Sequence, residues 1–304
     1  MDVVVSGARG LIGSALCRNL EADGHRAIPL VRPGSNDEGI RWDPRSGTID
    51  DASLEGVDAV VHLAGEGVAS HRWTEEHKRN VLRSRVDGTT LLAKALAGLQ
   101  RKPKALVSGS AVGYYGDRGS AELTEQSEPG TDFLADVCVQ WESATRPAED
   151  AGIRTAHIRT GIVLSTDGGA LKAQLPLFRI GLGGQAGSGG QYLSWITLDD
   201  EISAIRFLID HDDVRGPANL TAPAPCTNAE FTKALGRAVH RPTVVRIPHL
   251  VTRAPLGLGD LAESLLFSSG RAIPAVLLSA GYRFQHTDLD EALAAELSTG
   301  HEAA

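Results

Sequence analysis

The chain has 304 residues, of which 42% are apolar and 22% charged, the balance of a soluble globular protein long enough for one large domain or two lobes. Its net charge of −8 argues against nucleic acid or an anionic membrane as main partner and leaves room for a local basic pocket for a phosphorylated ligand. Three widely separated cysteines, Cys17, Cys138 and Cys226, read as reduced thiols; with no basic-then-apolar leader and no run of about 18 apolar residues, they predict a cytoplasmic protein without a membrane span. The expected partner is a small-molecule substrate, and monomer and homodimer stay equally open.

In chain order, residues 3–6 are an apolar run that predicts a strand, and it leads into Gly7-Ala8-Arg9-Gly10-Leu11-Ile12-Gly13. A helix is predicted over 10–23, with Leu11, Ile12, Ala15, Leu16 and Leu20 on one face and Gly24 closing it. Next come a strand over 27–31, a hairpin of 40–43 and 48–50, a buried strand over 59–63, a helix over 74–99, a strand over 105–108, a helix over 132–151 and a strand over 155–160. Apolar strands alternating with helices predict an α/β fold, a doubly wound parallel sheet of the Rossmann type. Beyond 160 the rhythm fails. Gly181, Gly183, Gly184, Gly187, Gly189 and Gly190 predict a mobile loop; helices over 198–210, 228–239 and 289–297 and a strand over 218–220 follow. The domain expectation is an NAD(P)-binding domain over 1–165, its sheet and helices completed by about 192–222, and a smaller α/β C-terminal lobe of 166–191 and 223–304.

The three glycines have separate tasks. Gly7 permits the tight turn, Gly10 lets backbone approach a pyrophosphate, and Gly13 lets the helix pack closely; the pyrophosphate then sits on the helix start at Leu11 and Ile12. An NAD site normally carries an acidic residue about 20 residues further on. Here the second strand ends Leu30-Val31-Arg32-Pro33, so Arg32, with Arg9 from the turn, points to a 2′-phosphate and to NADP(H) over NAD(H); Arg32 as a solvated surface residue is the alternative. Leu63, Ala64 and Gly65 end a strand with little side chain and suit backbone lying against adenine and ribose. His62 reads as a packed histidine. No metal site is expected: H-E-x-x-H and C-x-x-C spacings are missing, as are a P-loop and a nucleophile elbow.

Together with that turn and the strand end at 62–65, Ser108-Gly109-Ser110-Ala111-Val112-Gly113-Tyr114-Tyr115-Gly116 resembles the extended short-chain dehydrogenase/reductases, a group that includes nucleotide-sugar epimerases. Ser194-Trp195-Ile196-Thr197-Leu198-Asp199-Asp200, Gly216-Pro217-Ala218-Asn219-Leu220-Thr221 and Arg271-Ala272-Ile273-Pro274-Ala275-Val276-Leu277-Leu278 are similar to one atypical branch, the "epimerase family protein" group with a C-terminal domain of unknown function. The resemblance spans essentially the whole chain. It implies a Tyr-x-x-x-Lys pair on the helix after the serine strand, but registering Trp141-Glu142 on that helix puts Leu134 and Cys138 at the two positions. Leucine has no proton to give and cysteine no positive charge. The usual asparagine before Val-x-Gly-Thr is Arg85.

Other groups therefore have to carry any chemistry. Ser110 occupies the place of the superfamily's substrate-polarising serine; a turn serine bonded to backbone is the alternative. Tyr114 or Tyr115 would supply the missing acid, or else pack. Ser108 and Thr160, at strand ends, and Arg85 join the cofactor set. Glu66 and Trp195 are placed on the substrate side, Trp195 as a stacking surface, with His71, Trp73 and Arg83 near the entry to the long helix. The expectation is an NADP(H)-dependent oxidoreductase or epimerase-like enzyme acting on a small polar substrate; the alternative is a non-catalytic NADP(H)-binding sensor.

Overall fold

Val3, Val4 and Val5 are wholly buried in β1 (Asp2–Ser6), as a strand covered on both faces requires. β1 runs parallel to β2 (Arg26–Val31) on one side and to β5 (Ala59–His62) on the other. β2 continues to β3 (Ile40–Asp43), which pairs antiparallel with β4 (Thr48–Ile49) at the edge. β5 pairs in parallel with β6 (Ala105–Ala111). With β8 (Arg154–Thr160) and β13 (Gly216–Leu220) the sheet has 8 strands in the order β13-β8-β6-β5-β1-β2-β3-β4. Among the described residues four small pairings accompany the sheet: β7 (Glu122–Leu123) with β16 (Arg271–Ala272), β9 (Ile162–Leu164) with β12 (Trp195–Thr197), β10 (Gly184–Ala186) with β15 (Val245–Ile247), and β11 (Tyr192–Leu193) with β14 (Cys226–Thr227). This computed structural model describes residues 1–248 and 268–299; the parts of the expected C-terminal lobe at 249–267 and 300–304 lie outside them.

The helices follow local chemistry. α1 (Leu11–Ala22) is closed by Gly24 at φ +75°, with the Gly24 and His25 amides donating back to Glu21 and Leu20, a left-handed cap that glycine adopts without strain. α2 (Glu75–Gly98) starts on Thr74, whose hydroxyl accepts the His77 amide, and carries Glu75 and Glu76 at its positive end. Its Leu92, Ala93 and Leu96 pack with Val4, Val60 and Leu106 of the sheet. The helix predicted over 132–151 is broken into α3 (Phe133–Ser143) and α4 (Arg146–Asp150). Pro147 sits in the first turn of α4, where its missing N–H costs nothing.

Contacts divide the chain into two units: Met1–Tyr114, Asp136–Arg159 and Ile202–Ala218 in the first, and Tyr115–Ala135, Thr160–Glu201 and Asn219–Ala304 in the second. In the second, Leu171, Leu175 and Phe178 of α5 (Gly169–Arg179) pack with Trp195, Phe231 and Leu293. No helix is expected there from the sequence, and the helix holds Pro176 inside it. The second unit also corrects the mobile loop expected at 181–190: β10 lies within it, and a Cβ on Gly184 would be 2.1 Å from the Val245 carbonyl oxygen. There glycine serves close backbone packing. α6 (Leu198–Asp210) and α7 (Asn228–Ala238) form where the apolar spacing put them, α7 behind a reciprocal Thr227/Glu230 cap.

Candidate functional site

The sheet order reverses at β1: β2 lies on one side and β5 on the other. In an open parallel sheet the ligand crevice opens outside the strand carboxyl ends at such a reversal. Gly7 follows β1 at φ +70°, and a Cβ on it would be 3.0 Å from the Leu63 carbonyl carbon and 3.1 Å from the Ala64 nitrogen. The Gly10 amide donates to Gly7 O at 2.9 Å. A Cβ on Gly13 would be 2.2 Å from the same oxygen, so the start of α1 lies directly on the turn. Its N-cap is Gly10, with no side-chain cap and no acid in the first turn. The positive helix end thus stays open to an anion.

Ser6 fastens the two strand ends. Its Oγ accepts the Leu63 and Ala64 amides at 3.0 and 3.1 Å and donates to His62 Nδ1 at 2.7 Å, which leaves His62 Nε2–H to donate to Thr89 at 2.9 Å. Burial pushes the His62 pKa down to about 4, so His62 is a neutral, packed histidine.

Beyond β2, Arg9 reaches Ser35 at 3.1 Å and pairs with Asp37. Arg41 of β3 ties the same loop down, donating to the carbonyls of Arg32, Ser35 and Asp37. Arg32 is exposed at the strand end. Two features escaped the sequence: Asp37, a carboxylate the loop brings beside Arg9, and Arg41, which lies within a strand of the expected hairpin.

A second cluster lies at the carboxyl end of β6. Ser110 Oγ donates to Glu142 Oε1 at 2.7 Å. Arg159, at the end of β8, takes both oxygens of that carboxylate, Nε to Oε1 and Nη2 to Oε2, each at 2.8 Å. The two side chains are 3% and 11% exposed, and the Arg159 guanidinium lies 3.4 Å from the centre of the Tyr114 ring. Beside them Cys138 is buried; desolvation, then the Glu142 charge, pushes its thiol up to about 11. Arg85 stacks over Trp141 at 4.9 Å and donates to the carbonyls of Glu66 and Val81 at 2.8 and 3.1 Å; burial lowers its pKa. Gly65 accommodates it, since a Cβ there would be 3.1 Å from Arg85 Cζ. Gly109 likewise leaves space for Trp141, whose ring a Cβ would approach to 2.7 Å. Ser108 Oγ is buried and has no hydrogen-bond partner among the described residues. Glu66 Oε1 accepts from Ser70 at 3.2 Å and lies 3.5 Å from His71; His71 and Trp73 pack edge-on to His77.

Several expected site residues have other work. Tyr115 is fully buried and donates to Asn219 Oδ1 at 2.7 Å, so its phenol is a structural group. Trp195 is 1% exposed, its indole N–H donates to Ala224 O at 3.0 Å, and it sits in the core of the second unit; no ring face is left for stacking. Ser110 remains in the β6 cluster, but with its hydrogen given to Glu142 it has none for an oxyanion. Thr160 donates to Glu201 Oε1 at 2.8 Å, and burial pushes that fully buried carboxyl up to about 8. Glu142, Arg159 and Glu201 were missed; Trp141-Glu142 had served only to set the register of α3.

The fold and the turn at its reversal define a class, the Rossmann-type α/β proteins. Within that class the chain belongs to the NAD dependent epimerase/dehydratase family, whose model matches residues 3–220; residues 248–296 match a domain of unknown function, DUF1731. The chain is 46% identical over 292 residues to the epimerase family protein Mb2239 of Mycobacterium bovis, covering 96% of each chain. It is 36% identical over 296 residues to human epimerase family protein SDR39U1, covering 96% of this chain and 98% of the human one. Among solved structures, human SDR39U1 (isoform 2) with NADPH superimposes with a TM-score of 0.89 at 34% identity, covering 98% and 99% of the two chains. A nucleoside-diphosphate sugar epimerase of Corynebacterium glutamicum matches with a TM-score of 0.81 at 39% identity, covering 98% of this chain and 58% of that one. Among the described residues no helix is long and apolar enough to cross a membrane.

Proposed function

We propose that this chain binds NADP(H) at the 7–13 turn and is an oxidoreductase or epimerase-like enzyme that works on a small polar substrate without a Tyr-x-x-x-Lys pair. The observation that carries the proposal is the cradle at the sheet reversal: a glycine turn that tolerates no Cβ at position 13, under a helix start with no side-chain cap. That cradle fits a pyrophosphate. Arg9, Arg32, Ser35 and Arg41 at the end of β2 fit a 2′-phosphate, with Asp37 competing for Arg9. The NADPH held by human SDR39U1 supports the same choice.

When bound, the dinucleotide supplies hydride transfer at its nicotinamide. The chain's own part is to place a polar group of the substrate at the β6 end, where Ser110 and Tyr114 stand beside Glu142 and Arg159. One observation favours the second reading, a non-catalytic NADP(H) sensor: Cys138, at the usual lysine position, is a neutral buried thiol. Both readings predict NADPH binding that is stronger than NADH binding by calorimetry. They part on turnover: hydride exchange with some member of a broad panel of carbonyl compounds, alcohols and sugar nucleotides establishes the enzyme. Tight NADPH binding with no exchange leaves the sensor.

A further inference from the structure

A serine hydroxyl has one hydrogen and two lone pairs. The Ser110 hydrogen points at Glu142 Oε1 across 2.7 Å, and Ser110 is 6% exposed. Among the described residues, the Glu142 carboxylate accepts from Ser110 O–H and Arg159 Nε–H at Oε1 and from Arg159 Nη2–H at Oε2. Arg159 is itself held, with the Tyr114 ring against its guanidinium face. The carboxylate is therefore fixed in direction and Ser110 cannot turn its hydrogen outward without giving up a charge-assisted bond. The neutral Cys138 thiol is also hydrogen-bonded to Ser110, donating to one lone pair of its oxygen; what Ser110 offers a ligand is the other lone pair, which a ligand hydroxyl satisfies and a carbonyl oxygen does not.

Resting on the NADP(H) reading above, we infer that Ser110 and Glu142 form a proton relay that selects an alcohol as substrate and serves its oxidation. The substrate O–H bond breaks as a new O–H bond forms on Ser110 Oγ. The Ser110 O–H bond breaks in the same step as one forms on Glu142 Oε1. The electron pair of the carbinol C–H bond leaves as hydride to the oxidised dinucleotide, and the product is a ketone or aldehyde. Ser110 touches the substrate and is the catalytic residue; Glu142 acts through it, and Arg159 positions Glu142. This replaces the Tyr-x-x-x-Lys pair by groups on β6, α3 and β8, beside a Cys138 that cannot do the lysine's work.

The test uses the full chain with NADP⁺ and a panel of secondary alcohols comprising 2-hydroxy acids, polyols, and free and nucleotide-linked sugars, alongside NADPH with the matching ketones. The expected result is oxidation of at least one alcohol by the wild type. Ser110→Ala and Glu142→Gln should each lower kcat by about 100-fold or more, with the NADPH Kd held within about twofold. Ser110→Thr and Glu142→Asp should recover part of the rate, and Glu142→Gln should lose the acid limb of the pH–rate profile. A readout without turnover is the infrared difference between wild type and Glu142→Gln, both carrying ¹³C-labelled glutamate: carboxylate bands at pH 7 are expected, and a carboxylic-acid band overturns the relay. So does a surviving acid limb in Glu142→Gln, or a chain that binds NADP⁺ but oxidises no alcohol. A chain that binds neither NADP⁺ nor NADPH overturns the NADP(H) reading itself, and the relay with it.

Discussion

Arg159 and Glu142 meet in a two-point ion pair, each contact 2.8 Å long, at the carboxyl ends of β8 and β6 beside Ser110. A buried pair of this kind is costly to break from one side, because the remaining charge is left without a partner. Arg159→Met should therefore destabilise the fold by roughly 3–5 kcal/mol in urea unfolding, and Arg159→Met with Glu142→Leu should cost less than Arg159→Met alone. A double variant as unstable as the sum of the two singles would show that the pair contributes no coupling.

Gly13 is set by contact. A methyl group 2.2 Å from the Gly7 carbonyl must push α1 off the turn. Gly13→Ala should abolish NADPH binding in a fluorescence titration and lower the melting midpoint, at a cost of about 1–3 kcal/mol. Gly24→Ala, where a Cβ meets nothing within 4 Å, should leave NADPH binding unchanged and cost only the strain of its positive φ.

The 2′-phosphate assignment turns on three side chains. Arg32→Asp should weaken NADPH binding about ten- to a hundredfold, the worth of one charge-assisted bond, and leave NADH nearly untouched. Asp37→Asn should release Arg9 and tighten NADPH severalfold. Equal losses for both cofactors in Arg32→Asp would remove the phosphate from that loop.

Glu201 makes stability depend on pH. Its folded-state pKa of about 8 lies above the ordinary value of 4.5, so between those limits the folded chain keeps a proton that the unfolded chain has lost. Stability is then full below about pH 4.5 and falls as pH rises through the window to about 8, by up to about 1.4 kcal/mol per unit. Glu296, pushed up to about 7 by burial and then by Asp199, adds to the lower part of that fall. Glu201→Gln keeps an acceptor for Thr160 and should flatten the upper part, from pH 7 to 8, of melting midpoints recorded between pH 5 and 8.5. Parallel curves for the two proteins would show that another group titrates.

The thiols should be quiet. Burial pushes Cys138 to about 11 and Cys226 to about 12, and also raises Cys17, which is only half-buried. At pH 7.5 a thiol reagent should label Cys17 slowly and the other two only after denaturation. Rapid labelling of Cys138 in the native chain would contradict the packing around Ser110.

What the sequence determined by itself is whatever short-range chemistry imposes. An apolar run before Gly7 could only be a buried strand, Gly7, Gly10 and Gly13 could only be a turn with a helix lying on it, and their repeat of strand and helix led to a parallel sheet. Period and backbone freedom belong to neighbours in the chain, so they are legible there. The rest depended on partners far apart in sequence. Glu142 became a relay candidate only because β8 carries Arg159, 17 residues away, and β6 carries Ser110, 32 residues away, to the same carboxylate oxygen. Asp37 came to Arg9 across 28 residues. Trp195 went to the core of the second unit and Tyr115 to a buried bond with Asn219, because the full burial of a large side chain is decided by what packs around it. The glycines at the turn say where a dinucleotide would rest; the fold alone decided which side chains stand near enough to move a proton.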